Sequence, residues 1–296
     1  MFRTITIGDM DAILPYLAAS GFDTSEYCFA NNYIWSELNG YRYCISDGFY
    51  ILGSFTDGRA PQFIYPAGNG DIRRAVDIMR CEIKDKGCPL TMLSLNEASL
   101  KLMRSVYGNT FTAKSEPMYS DYFLDVDEAS EPTGNRGKKC RKFDRDYAGR
   151  VTFSRILTAA DKEKCIMFSA AQYNDKGGAD LSETSAHEQL ALHMLFEDFE
   201  RLRAEGIMMY IDGVFCGFTC GSPVNDDTFD CHFEKADRAA GRMVFSVLSR
   251  EFARSLRGRY KYINIEEDLG IPGLIESKRT AHPVRIAAKT DITFNV

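Results

Sequence analysis

Runs of apolar, β-branched and aromatic residues flank two Asp-Gly pairs along the chain. The first run reads RYCISDGFYILGSF around Asp47-Gly48, and the second reads IMMYIDGVFCGFTCGS around Asp212-Gly213. A tight hairpin turn needs positive φ angles at both central positions, which an Asp-Gly pair readily adopts. The pattern therefore predicts one β-hairpin in each half of the chain.

Apolar residues at intervals of three and four predict an amphipathic helix after each hairpin. The helix of the first half lies in DIRRAVDIMRCEIKDKG (71–87), and that of the second half lies in RMVFSVLSREFARSLRG (242–258). Glycine precedes each helix, and Gly87 is expected to end the first one. The expected core faces are Ile72, Ala75, Val76, Met79 and Ile83 in the first helix and Phe245, Leu248, Phe252 and Leu256 in the second.

A further helix is expected ahead of the second hairpin, within SETSAHEQLALHMLFEDFERLRAEG (182–206). Ser185 and Glu188 have the spacing of a capping box, and Gly206 is expected to end the helix. The apolar face of this helix comprises Leu192, Leu195, Phe196, Phe199 and Leu202.

These elements occur twice in the same order: helix, hairpin, strand, helix, strand and short helix. The order resembles the acetyltransferase-type (GNAT) fold in duplicate. We therefore expect an α+β protein with two tandem GNAT-like domains, each a mixed, mostly antiparallel sheet flanked by helices. The Pro/Gly/Ser-containing stretch SEPTGNRGKK (130–139) indicates the boundary, which gives halves of residues 1–128 and 129–296.

The composition is that of a globular protein, with 45% hydrophobic and 12% aromatic residues among 296. No apolar run reaches the roughly 18 residues of a membrane-spanning helix, and the N-terminus lacks an export signal, so we expect a cytoplasmic protein without a transmembrane segment. The nine cysteines form no CxxC pair, which indicates reduced core thiols. Cys216 and Cys220 lie four apart in an apolar strand, and we expect no metal site.

The net charge of −6 does not by itself indicate a nucleic-acid partner. Basic residues are nevertheless concentrated in NRGKKCRKFDRDY (135–147), where six Lys or Arg stand against two Asp. Most charge runs of this kind are solvated helix faces. The alternative is that this segment contacts nucleic-acid phosphates without reading the sequence, through Lys138, Lys139, Arg141, Lys142 and Arg145.

The segment FDCHFEKAD predicts a strand with one apolar and one ionisable face. The ionisable face carries Asp230, His232 and Glu234. It either meets solvent, as in a half-exposed sheet, or lines a cleft in which Glu234 acts as a general base. His232 alone is more often a structural histidine.

The following loop, KADRAAGRM, places Lys235, Arg238 and Arg242 around Gly241 at the start of a helix. Free backbone N–H groups at a helix N-terminus, together with cations, suit an anion. In acetyltransferase-type folds the corresponding loop carries an R/Q-x-x-G-x-G/A pattern that binds the pyrophosphate of coenzyme A. Arg238 and Gly241 fit this pattern, whereas Met243 stands at its last position, and ordinary helix initiation is the alternative interpretation.

The C-terminal stretch INIEEDLGIPGLIESKR (263–279), preceded by HFEKAD and EFARSL, resembles the C-terminal domain of phosphatidylglycerol lysyltransferases and their soluble relatives. The segments GKKCRKFDRDY and YIWSELNGYRY (33–43) are similar to that family as well. The resemblance implies two acetyltransferase-type halves in tandem. It also implies transfer of an aminoacyl group from a charged tRNA to an acceptor.

The resemblance implies roles for the charged residues at this strand end. Glu234, Glu266 and Asp268 would be catalytic, and carboxylates there could hold the α-ammonium group of an aminoacyl donor. The donor-binding residues would be Lys235, Arg238, Gly241, Arg242, Asn264, Lys278 and Arg279. The alternative is that the acids cap the following helix and that Lys278 and Arg279 complement the C-terminal end of that helix.

We therefore expect an acyltransferase that moves an aminoacyl group from tRNA to an amine or hydroxyl acceptor, with the donor as co-substrate and no tightly bound cofactor. An acyl-coenzyme A-dependent N-acyltransferase and a non-catalytic ligand-binding protein remain the alternatives. The multispanning membrane region of full lysyltransferases has no counterpart in the sequence, which argues against a phospholipid acceptor. In the first half, Asp71 follows Gly68-Asn69-Gly70, and we expect that half to be structural or to bind the acceptor.

Overall fold

Both Asp-Gly pairs form hairpin turns in the computed structural model, which describes residues 2–174, 179–237 and 243–295. The φ angles are 51° and 81° at Asp47 and Gly48, and 51° and 79° at Asp212 and Gly213. The first hairpin joins β2 (Tyr41–Ser46) to β3 (Phe49–Ser54), and the second joins β10 (Glu205–Ile211) to β11 (Val214–Pro223). The prediction of one hairpin in each half is confirmed.

The chain divides into two compact units. The first comprises Met1–Asp121, Glu267–Gly270 and Ile286–Val296, and the second comprises Tyr122–Glu266 and Ile271–Arg285. This division differs from the expected halves in three places. The first unit ends at Asp121 rather than at residue 128, and it also takes in Glu267–Gly270 and the last residues of the chain.

The first unit contains a sheet of eight strands with the order β1-β2-β3-β4-β6-β15-β7, and β5 pairs with β3. Only β4 and β6 run parallel among its described pairs. The remaining strands are β1 (Arg3–Thr4), β4 (Gln62–Ile64), β5 (Ala67–Gly68), β6 (Thr91–Leu95), β7 (Phe111–Lys114) and β15 (Thr290–Phe294). The helices are α1 (Met10–Ser20), α2 (Phe29–Ile34), α3 (Ser36–Asn39), α4 (Ile72–Ile83) and α5 (Glu97–Tyr107).

The second sheet has seven strands with the order β14-β8-β13-β12-β11-β10-β9, in which β12 and β13 run parallel. The strands not yet given are β8 (Asp121–Asp125), β9 (Val151–Arg155), β12 (Thr228–Ala236), β13 (Tyr262–Asn264) and β14 (Arg285–Ala287). The helices of this part of the chain are α6 (Val126–Ser130), α7 (Gly134–Asp146), α8 (Ala159–Asn174), α9 (Ala179–Glu197), α10 (Val244–Leu256) and α11 (Pro272–Thr280).

The two sheets are therefore built to one plan, a mixed and mostly antiparallel sheet with a parallel pair joined by a long helix. The parallel pair is β4 and β6 around α4 in the first unit, and β12 and β13 around α10 in the second. The α+β architecture expected from the repeated order of elements is confirmed. A parallel pair requires such a crossover, because a tight turn can join only antiparallel strands.

Each sheet is completed by a strand from a distant part of the chain. In the first sheet, β15 pairs antiparallel with β6 and β7. In the second sheet, β8 pairs antiparallel with β13. These pairings explain why the units do not follow the expected boundary, since backbone hydrogen bonds tie the C-terminal strand to the first sheet and β8 to the second.

The two crossover helices form where they were predicted, although α4 ends at Ile83 rather than at Gly87. All five apolar residues expected on the core face of α4 are buried, and the Asp71 side chain caps this helix by accepting a hydrogen bond from the Arg73 N–H. In α10, Leu248, Phe252 and Leu256 are buried, and Phe245 is partly buried against the same core. Amphipathic periodicity was sufficient to place both helices.

The long helix α9 forms, but both its predicted start at Ser185 and its predicted end at Gly206 are wrong. This helix spans Ala179–Glu197, so Ser185 lies inside it rather than at its N-cap, and Gly206 lies in β10. A Cβ atom at Gly206 would come within 2.7 Å of the Thr219 carbonyl oxygen on β11. The glycine therefore permits close approach of two strands and does not end a helix. Within the described residues, no helix combines the length and the apolar composition needed to cross a bilayer.

Candidate functional site

The parallel pairing of β12 with β13 is short and leaves the second half of β12 open on that side. The described ladder joins Thr228 to Tyr262, Phe229 to Ile263 and Asp230 to Asn264. From there β12 continues to Ala236, whereas β13 ends at Asn264. Polar side chains from the end of β12 and from the residues after β13 therefore flank the stretch where the two strands no longer pair, which we call the opening.

The ionisable face of β12 is mostly buried, so the solvent-facing interpretation is wrong for its first two residues. Asp230 is fully buried and His232 is 9% exposed. His232 Nε2 lies 2.8 Å from Ser222 Oγ. On the other side of the ring, Nδ1 lies 3.4 Å from Glu266 Oε1 and 3.6 Å from Asp230 Oδ2. His232 on β12 thus contacts β11 through Nε2 and the residue after β13 through Nδ1.

Glu234 lies two residues further along β12 and has a strongly shifted pKa. Burial raises the pKa of its carboxyl to about 7, against the lowering effect of the Arg136 and Lys278 charges. A carboxyl group with a pKa near neutrality is suited to accept and return a proton at physiological pH. The sequence-based candidate for the general base therefore has the electrostatic property that this role requires.

The two cations that influence Glu234 are held in fixed positions. Arg136 on α7 is 7% exposed. Its Nη1 donates to the Ala281 carbonyl at 3.1 Å, and its Nη2 donates to Ser249 Oγ at 2.8 Å. The Lys278 amine on α11 donates to the Ile265 carbonyl. Lys278 was a sequence-based candidate, whereas Arg136 was only counted in the basic run and not singled out.

Arg136 also lines a cavity of about 390 Å³ in the second unit. The cavity lies at the junction of α6 and α7 and extends to the residues after α11. Three of its lining residues are carboxylates, namely Asp125, Glu128 and Glu131. The cavity therefore combines one buried cation with an acidic rim.

Glu266 has a left-handed backbone conformation immediately beyond β13, with a φ angle of 59°. Asn264 Oδ1 accepts a hydrogen bond from the Glu266 N–H at 2.8 Å, and the Tyr122 N–H donates to the Glu266 carbonyl at 3.3 Å. The expected donor-binding residue Asn264 is thus fully buried and supports the Glu266 backbone. Its side-chain oxygen is used for positioning in this structure.

The two acidic residues that follow Glu266 in the sequence, Glu267 and Asp268, belong to the first unit. Asp268 is 4% exposed, and its Oδ1 accepts a hydrogen bond from the Gly270 N–H at 2.8 Å. Glu267 Oε1 lies 2.8 Å from the Lys289 amine. The N-cap residue of α11 is Ile271, whose side chain cannot accept a hydrogen bond. The interpretation that the acids cap this helix stays an alternative.

Lys235 is the one expected donor-binding residue of the KADRAAGRM segment that lies within the described residues. Lys235 forms an ion pair with Glu188 on α9. Arg238, Gly241 and Arg242 lie outside the described residues. Arg279 is exposed in the last turn of α11, as the sequence-based alternative of a helix-end cation requires.

The basic segment forms α7, which has one buried and one cationic face. Arg136, Cys140 and Phe143 are buried at helical spacing. The opposite half of the helix is exposed and carries Lys138, Lys139, Arg141, Lys142 and Arg145. Lys142 forms an ion pair with Asp146 one turn away. Within the part of the chain that the structure describes, Lys138, Lys139 and Arg141 have no acidic partner at ion-pair distance.

Several other exposed cations of the second unit are ion-paired. Arg150 pairs with Asp212, Arg257 pairs with Asp127, and both Arg155 and Arg259 pair with Glu205. On α7, by contrast, the unpaired Lys138, Lys139 and Arg141 are concentrated on one helix face, although the protein as a whole is acidic. Such a face attracts a polyanion more strongly than paired cations do.

The family model described as "Phosphatidylglycerol lysyltransferase, C-terminal" matches residues 18–289. No curated protein matches the sequence significantly. The match covers both units and includes the segment from Asn264 to Arg279.

The solved structures that are similar to this chain include a bacterial protein of unknown function, a lysyltransferase-type domain and a tandem GNAT protein. A conserved protein of unknown function from Bacteroides thetaiotaomicron has 25% identity and a TM-score of 0.91, with 99% of each chain covered. A domain named as the C-terminal domain of a lysylphosphatidylglycerol synthetase from Agrobacterium fabrum has 13% identity and a TM-score of 0.66, covering 98% of this chain and 92% of that one. A tandem GNAT protein from the clavulanic acid biosynthesis pathway has 14% identity and a TM-score of 0.53, covering 100% and 99%. The last two show likeness of fold.

Proposed function

Because the chain belongs to the phosphatidylglycerol lysyltransferase C-terminal family, we propose that it is an acyltransferase that moves an aminoacyl group from a charged tRNA to an amine or hydroxyl acceptor. One observation carries the proposal. Glu234 borders the opening beside β12 with a pKa of about 7, influenced by the charges of Arg136 and Lys278. A base of this strength is what a neutral nucleophile needs when it attacks an ester carbonyl.

The proposed reaction is a direct transfer. The acceptor amine or hydroxyl attacks the ester carbonyl of the donor while its proton passes to Glu234. The tetrahedral intermediate then breaks the bond to the terminal ribose oxygen, and the proton on Glu234 passes to that leaving oxygen. Arg136 and Lys278 lower the energy of the negative charge that develops on the carbonyl oxygen. The enzyme itself forms no covalent intermediate.

Recognition of the donor would use two features of the second unit. The exposed face of α7, with Lys138, Lys139 and Arg141, would contact backbone phosphates of the tRNA. The Glu266 carboxylate would accept hydrogen bonds from the α-ammonium group of the aminoacyl end. The catalytic role expected of Asp268 and the phosphate contact expected of Arg279 remain predictions.

The cavity beside Arg136 supports a small acceptor that carries positive charge, with either an amine or a hydroxyl as the attacking group. Its volume of about 390 Å³ accommodates a small molecule. Its acidic rim favours an acceptor that carries positive charge away from the attacking atom.

The first experiment measures retention of total charged tRNA by the purified protein at low and moderate salt. It compares the wild type with a variant in which Lys138, Lys139, Arg141 and Lys142 are changed to Ala. The matched control variant removes the same number of exposed but ion-paired cations. These are Arg150, Arg155, Arg257 and Arg259.

We expect salt-sensitive binding that is lost in the α7 variant and retained in the control variant, and that is stronger for charged than for uncharged tRNA. Charged tRNA bound equally well by the α7 variant would contradict the proposal. If the protein retained labelled acyl-coenzyme A but not charged tRNA, the donor would be a thioester. Consumption of bound aminoacyl-tRNA that Glu234→Gln abolishes would distinguish an enzyme from a binding protein.

A further inference from the structure

We propose that His232 is a positioning residue, which holds the Glu266 carboxylate in place by donating from Nδ1 while Nε2 accepts a hydrogen bond from Ser222. This inference rests on the proposed function for the role of Glu266, whereas the proton position stands on geometry alone. Sequence reasoning had favoured a structural role for this histidine.

The surroundings of the ring determine where its proton lies. Nδ1 faces two carboxylates, Glu266 at 3.4 Å and Asp230 at 3.6 Å. An ionised carboxylate can only accept hydrogen bonds, so Nδ1 must carry the hydrogen atom. In a neutral imidazole Nε2 is then an acceptor. The Ser222 hydroxyl, 2.8 Å away, donates to Nε2 at any pH at which the ring is neutral.

Glu266 requires support because its backbone is in a costly conformation. A left-handed φ of 59° is unfavourable for a residue with a Cβ atom, because the Cβ approaches the following carbonyl oxygen. The backbone is held by Asn264 and Tyr122, which leaves the direction of the side chain to be set separately. Of these contacts, only the one with His232 reaches the carboxylate.

The chemical nature of the support matters for binding. The Glu266 side chain is 23% exposed, so a ligand can reach it from the opening. A neutral histidine fixes one oxygen and leaves the negative charge of the carboxylate in place. A lysine or arginine at position 232 would neutralise that charge. The arrangement therefore suits a carboxylate that must remain available to a cation such as an α-ammonium group.

The proton position is tested by ¹⁵N NMR on protein with labelled histidine. The chain has only four histidines, and His232→Gln identifies the relevant signals. We expect the Nδ1–H tautomer in the wild type, and we expect Glu266→Gln to shift the Nδ1 signal while Ser222→Ala shifts the Nε2 signal. An Nε2–H tautomer in the wild type would overturn the inference.

The functional part is tested with two matched substitutions. The amide nitrogen of His232→Asn lies near the position of Nδ1, whereas that of His232→Gln lies near the position of Nε2. The probes are alanyl-tRNA and N-acetylalanyl-tRNA, which differ in the α-ammonium group. We expect the wild type and His232→Asn to prefer the free amine, and we expect His232→Gln to lose this preference by about tenfold, as Glu266→Gln does.

The two hypotheses fail in different ways. If His232→Gln preferred alanyl-tRNA over N-acetylalanyl-tRNA as strongly as the wild type does, His232 would not position Glu266. The proposal that the protein binds charged tRNA would still stand. Absence of binding for either probe in the wild type would reject the proposed function, whereas the NMR result would still decide the proton position. Circular dichroism of each variant confirms that the fold is retained.

Discussion

The Lys289 amine lies 2.7 Å from Asp121 Oδ1 inside the first unit. Glu26 and Glu267 approach the same amine at 2.6 and 2.8 Å. Burial alone would lower the pKa of Lys289, but the three carboxylates raise it well above its usual value. This buried cation links three segments that are far apart in the sequence.

Replacing Lys289 by Met should destabilise the protein by about 3–5 kcal/mol, because three carboxylates would lose their buried counter-charge. Urea unfolding at neutral pH measures the change. Lys261→Met removes an exposed lysine of the second unit and serves as the control. A loss below about 1 kcal/mol for Lys289→Met would show that the cluster does not depend on its cation.

The raised pKa of Glu234 predicts a specific dependence of stability on pH. The protonated carboxyl is favoured in the folded state, so its contribution is full below pH 4.5 and is lost as the pH rises to about 7. Between pH 5 and pH 8 the wild type should lose on the order of 3 kcal/mol more stability than Glu234→Gln, at about 1.4 kcal/mol per pH unit. Urea unfolding of both proteins at the two pH values measures this difference, and parallel losses would contradict it.

The charge on Lys278 should tune the Glu234 carboxyl. Removing it in Lys278→Met leaves the ionised carboxylate less stabilised, so the pKa of Glu234 should rise further, by roughly one pH unit. A ¹³C NMR titration of the carboxyl, assigned with Glu234→Gln, gives the value directly. Arg279→Met, at the exposed neighbouring position, should leave the pKa unchanged.

The salt dependence of tRNA binding should identify α7 as the surface that meets the RNA. Removing one cation that touches a phosphate reduces the slope of log K against log salt by about 0.7–0.9. The variant lacking Lys138, Lys139, Arg141 and Lys142 should therefore have a slope smaller by about 3. The control variant lacking the four ion-paired arginines should keep the wild-type slope, and an equal reduction in both would indicate a general effect of net charge.

The close approach of β10 and β11 should make Gly206 intolerant of a side chain. A Cβ atom there would lie 2.7 Å from both the Thr219 carbonyl oxygen and Cys220 Cβ. Gly206→Ala should lower the free energy of unfolding by about 1–3 kcal/mol, measured by thermal or urea unfolding. Gly273→Ala, where nothing lies within 4 Å and φ is ordinary, should be nearly neutral.

Local patterns predicted the elements of the fold because turns and amphipathic helices are determined by nearby residues. The hairpins at Asp47-Gly48 and Asp212-Gly213 and the core face of α4 follow from this rule. The pairing of β15 with β6 does not follow from local patterns, because it joins residues far apart in the sequence, such as Thr290 and Leu95. The end of α9 was misplaced because Phe199 and Leu202 continue the helical spacing and are buried beyond Glu197.

The candidate site was only partly predictable for a similar reason. Glu234 could be chosen from the ionisable face of a predicted strand, whereas Glu266 and Lys278 were chosen mainly from the family resemblance. The left-handed conformation of Glu266 is held by the nearby Asn264 side chain together with the Tyr122 backbone from another segment, and the second contact cannot be seen in the sequence. Arg136 could have been found, because it lies at helical spacing from Cys140 and Phe143 on the buried face of α7.

The place of β15 in the first sheet has a consequence for synthesis on the ribosome. This strand, Thr290–Phe294, lies between β6 and β7, which belong to the first half of the chain and are made much earlier. Until it emerges, β6 and β7 each present an edge of unpaired backbone groups that could associate with another chain. The first part of the polypeptide to be translated is therefore among the last to complete its native hydrogen bonding, and a nascent chain stalled before Thr290 exposes a template for aggregation.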